Sequence, residues 1–240
     1  MRSKSPFVDQ LAEDVDQVEG FNPEYFRVMD GYSATSFRCG VLTPKVKELV
    51  ALAVNAAPSN MNRDGIAIHV KRAREEGASA DEIADALVSI SPLGGHIFNF
   101  GIPILLDELR KSSGESESAM PPISDEARAI KDDFVQRRGY WTDLREMLAC
   151  LVPEYFKSYM ALSSLPWRAG ALEPKVRELL FIAIDCSLTH MYEEGLRLHI
   201  RNALKFGASR SEILEVMQIA ASIGAGAYAI GMQEFVRVKL

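Results

Sequence analysis

Two histidines and three glutamates are the side chains of this sequence best suited to moving protons. His190 is followed three and four positions later by Glu193 and Glu194, and His199 lies one to two helical turns further on. A histidine and a carboxylate one turn apart can share a proton, and burial moves their pKa values towards neutrality, as general acid–base catalysis requires. Glu178, on what should be the preceding antiparallel helix, can approach His199. An acidic substrate at such a site also needs a cation for its carboxylate, and Arg177, Arg197 and Arg201 are the nearby candidates. The competing readings are structural. His199 with Glu178 also fits a buried hydrogen-bonded pair, and Glu193 with Glu194 fits a solvated helix start that complements the helix dipole. A zinc or iron site from His190, Glu194 and His199 is set aside, because the histidines are not an i, i+4 pair. No metal and no cofactor is expected.

The elements that carry these residues repeat. Pro-Glu-Tyr-Phe occurs at 23–26 and again at 153–156, 130 positions later, and the offset then holds without a gap. Pro44-Lys-Val-Lys-Glu48-Leu matches Pro174-Lys-Val-Arg-Glu178-Leu, and His69 matches His199. Gly77-Ala-Ser matches Gly207-Ala-Ser, Glu82-Ile matches Glu212-Ile, and Gly94 and Gly101 match Gly224 and Gly231. Apolar residues recur at helical spacing, as in Val176, Leu179, Leu180, Ala183 and Ile184, and no stretch alternates like a half-buried strand. Each copy therefore reads as all-α. Pro44 and Pro174 suit first helical turns, Gly77 and Gly207 suit helix ends, and Ser79 with Glu82 and Ser209 with Glu212 read as capping boxes. The boundaries follow as a first unit over 1–112, a Ser/Gly/Pro-rich linker over 113–124, and a second unit over 125–240 whose lead-in helix starts from a Ser124 cap. Small residues crowd 219–231, where close helix crossings are expected.

The frame over residues 174–213, repeated over 44–83, resembles the core of the carboxymuconolactone decarboxylase and alkylhydroperoxidase D family. The resemblance implies an all-α protein of two tandem alkylhydroperoxidase D-like units related by a pseudo-twofold axis. It also implies a glutamate at the end of one helix acting with a histidine on the next. In the peroxidase branch a C-x-x-C motif precedes that histidine. Here the counted positions hold His190 and Glu193, or Tyr192 and Gly195, and in the first copy Asn60 and Arg63, or Asn62 and Gly65. Thiol–disulfide chemistry needs a thiolate and a resolving thiol, and no C-x-x-C occurs. A one-cysteine mechanism at Cys186 competes with its reading as a small buried hydrophobe. The copies differ most where the family places its site, so the second copy is expected to carry His199, His190, Glu193, Glu194 and Glu178. The first keeps a second half-site of His69, Glu48 and Asp64.

Composition narrows the partners. With Lys+Arg 27 against Asp+Glu 33, a net charge of -6 and no basic block, a nucleic-acid partner is not expected. No signal peptide and no uninterrupted apolar run of about 20 residues is read, so the expectation is a cytoplasmic protein without a membrane partner. Its three cysteines, Cys39, Cys150 and Cys186, suit reduced thiols. The leading expectation is a cofactor-free lyase or isomerase acting on a small carboxylated, aromatic-derived lactone. The resemblance adds a homo-oligomer, a trimer offering six units. The alternatives are a peroxide-reducing antioxidant protein and a non-catalytic ligand-binding or scaffold protein.

Overall fold

The computed structural model describes residues 5–113 and 119–238. Of the expected linker over 113–124, positions 114–118 lie outside the described residues. The α-helices run in chain order as α1 (Pro6–Leu11), α2 (Val15–Phe21), α3 (Pro23–Arg38), α4 (Pro44–Ala56), α5 (Arg63–Glu75), α6 (Ala80–Ile90) and α7 (Ile97–Ser113). They continue as α8 (Asp125–Arg138), α9 (Asp143–Leu151), α10 (Pro153–Ala169), α11 (Pro174–Asp185), α12 (Glu193–Lys205), α13 (Arg210–Ser222) and α14 (Ala225–Arg237). No strand occurs among the described residues.

The repeated punctuation works at matched positions. Gly77 and Gly207 end their helices at φ +85° and +84°, a left-handed backbone that glycine adopts without the steric cost of a Cβ. In both copies the serine hydroxyl then accepts from the backbone N–H of Glu82 or Glu212, and that glutamate accepts from the serine N–H, so two otherwise unpaired donors are satisfied at each helix start. Ser124 likewise caps α8, accepting from the N–H of Ala127 at 3.2 Å. Thr43 caps α4, whereas Glu173 makes no side-chain cap for α11.

Packing divides the chain differently from the repeat. One compact unit is Met1–Ile90 with Gly170–Leu240, and the other is Ser91–Ala169. The first unit holds the core helices of both copies. At its centre α4 and α11 bury Leu49, Val50, Leu52, Leu179, Leu180, Ile182 and Ile184. Two buried ion pairs join the copies reciprocally. Lys47 meets Glu215 at 2.7 Å and Arg177 meets Asp85 at 2.6 Å, and each cation and each acid occupies the position equivalent to the other. Glu215 also accepts from the N–H groups of Val41 and Leu42, and Asp85 from that of Leu172. Charges this deeply buried are tolerated only where partners replace their water, so these contacts fix how the two copies dock. Against this core, α1 and α14 cross over Phe7, Leu11, Ala225 and Ala229. A Cβ at Gly226 would lie 3.2 Å from Gln10 Oε1, which gives the small-residue stretch its close crossing.

The second unit packs Ile102 of α7 with Phe134, Leu144, Leu148, Phe156, Tyr159 and Met160 of α8–α10. Two stretches, Ala80–Ser113 and Arg210–Arg237, are long and apolar enough to cross a membrane by composition. Neither is one continuous α-helix: a 3-10 segment at Ser91–His96 interrupts the first, and Ile223–Gly224 separates α13 from α14. The longest α-helical piece, α7, has 17 residues, short of the roughly 20 that span a bilayer.

Candidate active site

Helices α11 and α12 run side by side and bring Glu178 to His199 in the second copy. The Nδ1 of His199 lies 2.6 Å from a Glu178 oxygen, with Glu178 fully buried and His199 nearly so. The Phe181 ring covers the imidazole at 4.5 Å between centroids. A carboxylate accepting from Nδ1–H fixes the tautomer and leaves Nε2 as the nitrogen available for proton exchange.

That Nε2 faces Asp185, at the end of α11, at 3.9 Å; His190 Nε2 faces the other Asp185 oxygen at 3.6 Å. Asp185 is 1% exposed, and neither of its oxygens has a hydrogen-bond partner. Burial pushes its carboxyl up to about 7, with Glu178 adding to the rise and His199 opposing it. Burial also lowers the pKa of His190. Each imidazole stands against a different Asp185 oxygen.

The first copy supplies an internal comparison. Asn55 stands where the second copy has Asp185, and its polar atoms are bonded: Nδ2 donates to the Ala51 carbonyl at 2.8 Å and Oδ1 accepts from Asn62 Nδ2 at 3.1 Å. Asn60, in place of His190, donates to the Val54 carbonyl. In the second copy Tyr192 replaces Asn62, and its hydroxyl donates to Glu194 instead. The glycine opening each following helix allows this close approach. A Cβ on Gly65 would fall 2.1 Å from Asn55 Oδ1, and one on Gly195 2.3 Å from Asp185 Oδ2. Met61 and Met191, both at φ 47°, form the turns before these helices, and the two turns touch through Ser59 and Thr189 at 3.4 Å. Left-handed backbone at a side-chain-bearing residue costs about 1–3 kcal/mol, so each turn is held by its surroundings.

His69 and Glu48 keep their pair in the first copy at 2.7 Å, but in a different setting. Arg72 donates to the second Glu48 oxygen at 2.9 Å and reaches Asp9 of α1 at 2.9 Å, so α1 is tied across the half-site. The cavity left among Phe7, Gln10, Phe37 and His69 is about 30 Å³, the share of a single water. The third residue expected there, Asp64, is exposed in the first turn of α5.

Glu193 and Glu194 are not brought to His190. Both are exposed, and Glu193 accepts from Arg197 one turn along α12. His190 precedes the helix, in a turn where its N–H donates to the Ser187 carbonyl, so helical three-and-four spacing does not apply to it. Arg177 is occupied by Asp85 and Ser89 in the core, Arg197 by Glu193, and Arg201 is exposed; none faces the histidines. Asp185 is the residue that sequence reasoning passed over. The signal was the exchange of Asn55 for an acid within an otherwise apolar run.

Cys186 is half-buried, and desolvation raises its thiol to about 11 with the Asp185 charge adding to the rise. At neutral pH such a thiol is almost wholly protonated and a poor nucleophile. In the other unit an open groove of about 880 Å³ lies between α8 and α10, where Lys157 pairs with Glu126 and Arg137 with Asp133.

The fold and the site together define a duplicated all-helical protein with a buried carboxylate–imidazole cluster and no thiol pair. The chain belongs to the carboxymuconolactone decarboxylase family, whose sequence profile matches residues 23–97 and 153–231, once per copy. It is also similar to a crystal structure from Burkholderia xenovorans LB400 described as "a putative gamma-carboxymuconolactone decarboxylase subunit". The two share 31% identity over 97% of this chain and 94% of that one, with a TM-score of 0.86. No curated protein matches the chain.

Proposed function

We propose that the protein is a cofactor-free lyase that decarboxylates a small carboxylated lactone by proton transfer at His199. The observation that carries this reading is the buried Glu178–His199 pair, which orients the imidazole and leaves Nε2 free of Glu178. Decarboxylation breaks the bond between ring carbon and carboxylate. Carbon dioxide leaves, the electron pair stays on the ring in conjugation with the lactone carbonyl, and one proton must be delivered to the ring. An imidazolium held by a buried carboxylate delivers that proton, a contribution of roughly 10²–10⁴-fold to rate. Removal of a ring proton by the imidazole and its return to another ring carbon, with the carboxylate retained, would instead be an isomerisation. A peroxide-reducing role is disfavoured by the missing cysteine pair and by the raised Cys186 thiol.

Incubation with γ-carboxymuconolactone, the compound named in the similar crystal structure, tests the reading. Release of carbon dioxide that is abolished by His199→Ala is the expected result. No turnover of that lactone or of related ring acids refutes it and leaves a binding or scaffold role. The reading also takes the chain to be a cytoplasmic homotrimer of six units. What supports assembly is the row of exposed large apolar side chains on α7, Ile97, Phe100, Ile104 and Leu105, of the kind that marks an interaction surface. The mass of the protein in solution decides it.

A further inference from the structure

The geometry points to Asp185 as the proton store of the second copy's site, a buried carboxylic acid that loads the His190 and His199 imidazoles it stands between. This inference rests on the proton-transfer reading above and names the group that supplies it. Three observations carry it. The carboxyl is buried without a hydrogen bond to either oxygen, a position where an ionised group is disfavoured because nothing replaces its water. It stands between two imidazole Nε2 atoms at 3.6 and 3.9 Å, one of them already oriented by Glu178. The equivalent position in the first copy holds neutral Asn55, whose amide donates to a main-chain carbonyl. Only the protonated form of Asp185 has a hydrogen to donate as that amide does. The titratable groups of this unit that face Asp185 are Glu178 on its own helix, His199 on α12 and His190 in the intervening turn, with Cys186 next in the chain.

The step balances without a further reactant. The ring carbon takes a proton from an imidazolium as carbon dioxide leaves. The neutral imidazole takes the proton of the Asp185 carboxyl, and solvent returns a proton to the carboxylate through His190, the imidazole whose side chain is 14% exposed. The net change is one proton consumed for each carbon dioxide released. Asp185 does not touch the ring, so it acts through the histidines as a positioning and proton-supplying residue.

Two measurements on the full-length protein test this, and they fail separately. Infrared difference spectra between wild type and Asp185→Asn, recorded from pH 5 to 9, read the carboxyl directly without a substrate. A protonated-carboxyl C=O band present at pH 6, lost in the variant and titrating near neutrality in wild type, is expected. Absence of that band overturns the proposal whatever the reaction is. Decarboxylation of γ-carboxymuconolactone is the second readout. In Asp185→Asn turnover should fall by roughly 10²-fold or more, and the loss of wild-type rate on raising the pH through neutrality should disappear. Asp185→Glu should restore part of the rate together with the pH dependence. Near-normal turnover in Asp185→Asn, with its pH profile unchanged, overturns the role of Asp185 while leaving His199 chemistry intact. An inactive wild type overturns the reaction, and the infrared band alone then decides whether Asp185 stores a proton.

Discussion

Replacing Asp185 by asparagine should stabilise the protein, and increasingly so as the pH rises. The Asp185 carboxyl has its pKa raised from 3.8 to about 7 by burial in the folded chain. Below about pH 4 it is protonated in both folded and unfolded states and has no effect on the balance. Between those values the unfolded chain releases the proton and the folded chain keeps it, so stability falls as the pH rises. Above about 7 the full penalty of an ionised buried group is present. A shift of about three units is worth at most about 4 kcal/mol at 1.36 kcal/mol per unit, and water entry and the two neighbouring imidazoles reduce this to about 2–3 kcal/mol. Asparagine is nearly the same shape, carries no charge, and can bond as Asn55 does at the equivalent position. For a chain of this size each kcal/mol moves the midpoint by roughly 2–4 °C. Thermal unfolding followed by circular dichroism should therefore show Asp185→Asn melting roughly 5–10 °C above wild type at pH 8.5, with most of the gap closed at pH 5. A gap of equal size at both values, or a variant less stable than wild type at pH 8.5, would refute the reasoning, because either result means the carboxyl is ionised at no cost.

Other perturbations separate the site from its framework. Arg177→Met leaves the Asp85 carboxylate buried without its cation and should cost about 3–5 kcal/mol in denaturant unfolding, whereas Arg177→Met with Asp85→Leu should recover most of the loss. Cys186, its thiol raised to about 11, should be alkylated by iodoacetamide at pH 8 far more slowly than exposed Cys39, and Cys186→Ser should leave decarboxylation unchanged. His69→Asn should lower stability without removing turnover, because α1 closes the first half-site; a loss of turnover matching that of His199→Ala would show the first copy to be active. Glu193→Gln and Glu194→Gln should each stay within about twofold of wild-type turnover, since both side chains are in solvent and general acid–base catalysis requires contact with the proton being moved.

The repeat, the helical class, the capping boxes and both Glu–His pairs were legible because each depends on local spacing or on a comparison between the copies. Glu48 with His69 and Glu178 with His199 are the same 21 positions apart, and that separation returns the chain to one place on two antiparallel helices. The partnership of His190 with Glu193 or Glu194 was not legible in the same way. It assumed helical phase, and the helix begins only at Glu193, so the two glutamates leave the cluster for water. The compact units were hidden as well. Which copy's acid meets which copy's cation depends on tertiary docking, and Lys47 with Glu215 and Arg177 with Asp85 are separated by 168 and 92 residues.

Duplication then explains how a poorly satisfied acid persists at position 185. In the first copy the equivalent turn is stabilised throughout: Asn55, Asn60 and Asn62 bond to main chain or to one another, and Arg72 joins Glu48 to Asp9. Those contacts satisfy the polar groups of one copy, and the reciprocal ion pairs join that copy to the other. The second copy can therefore carry an unbonded carboxyl, a tyrosine whose hydroxyl donates to Glu194, and a histidine in place of an amide without losing the fold. On this argument, Asn at 185, bonded as Asn55 is, should raise the stability of the fold and lower turnover at the second copy's site.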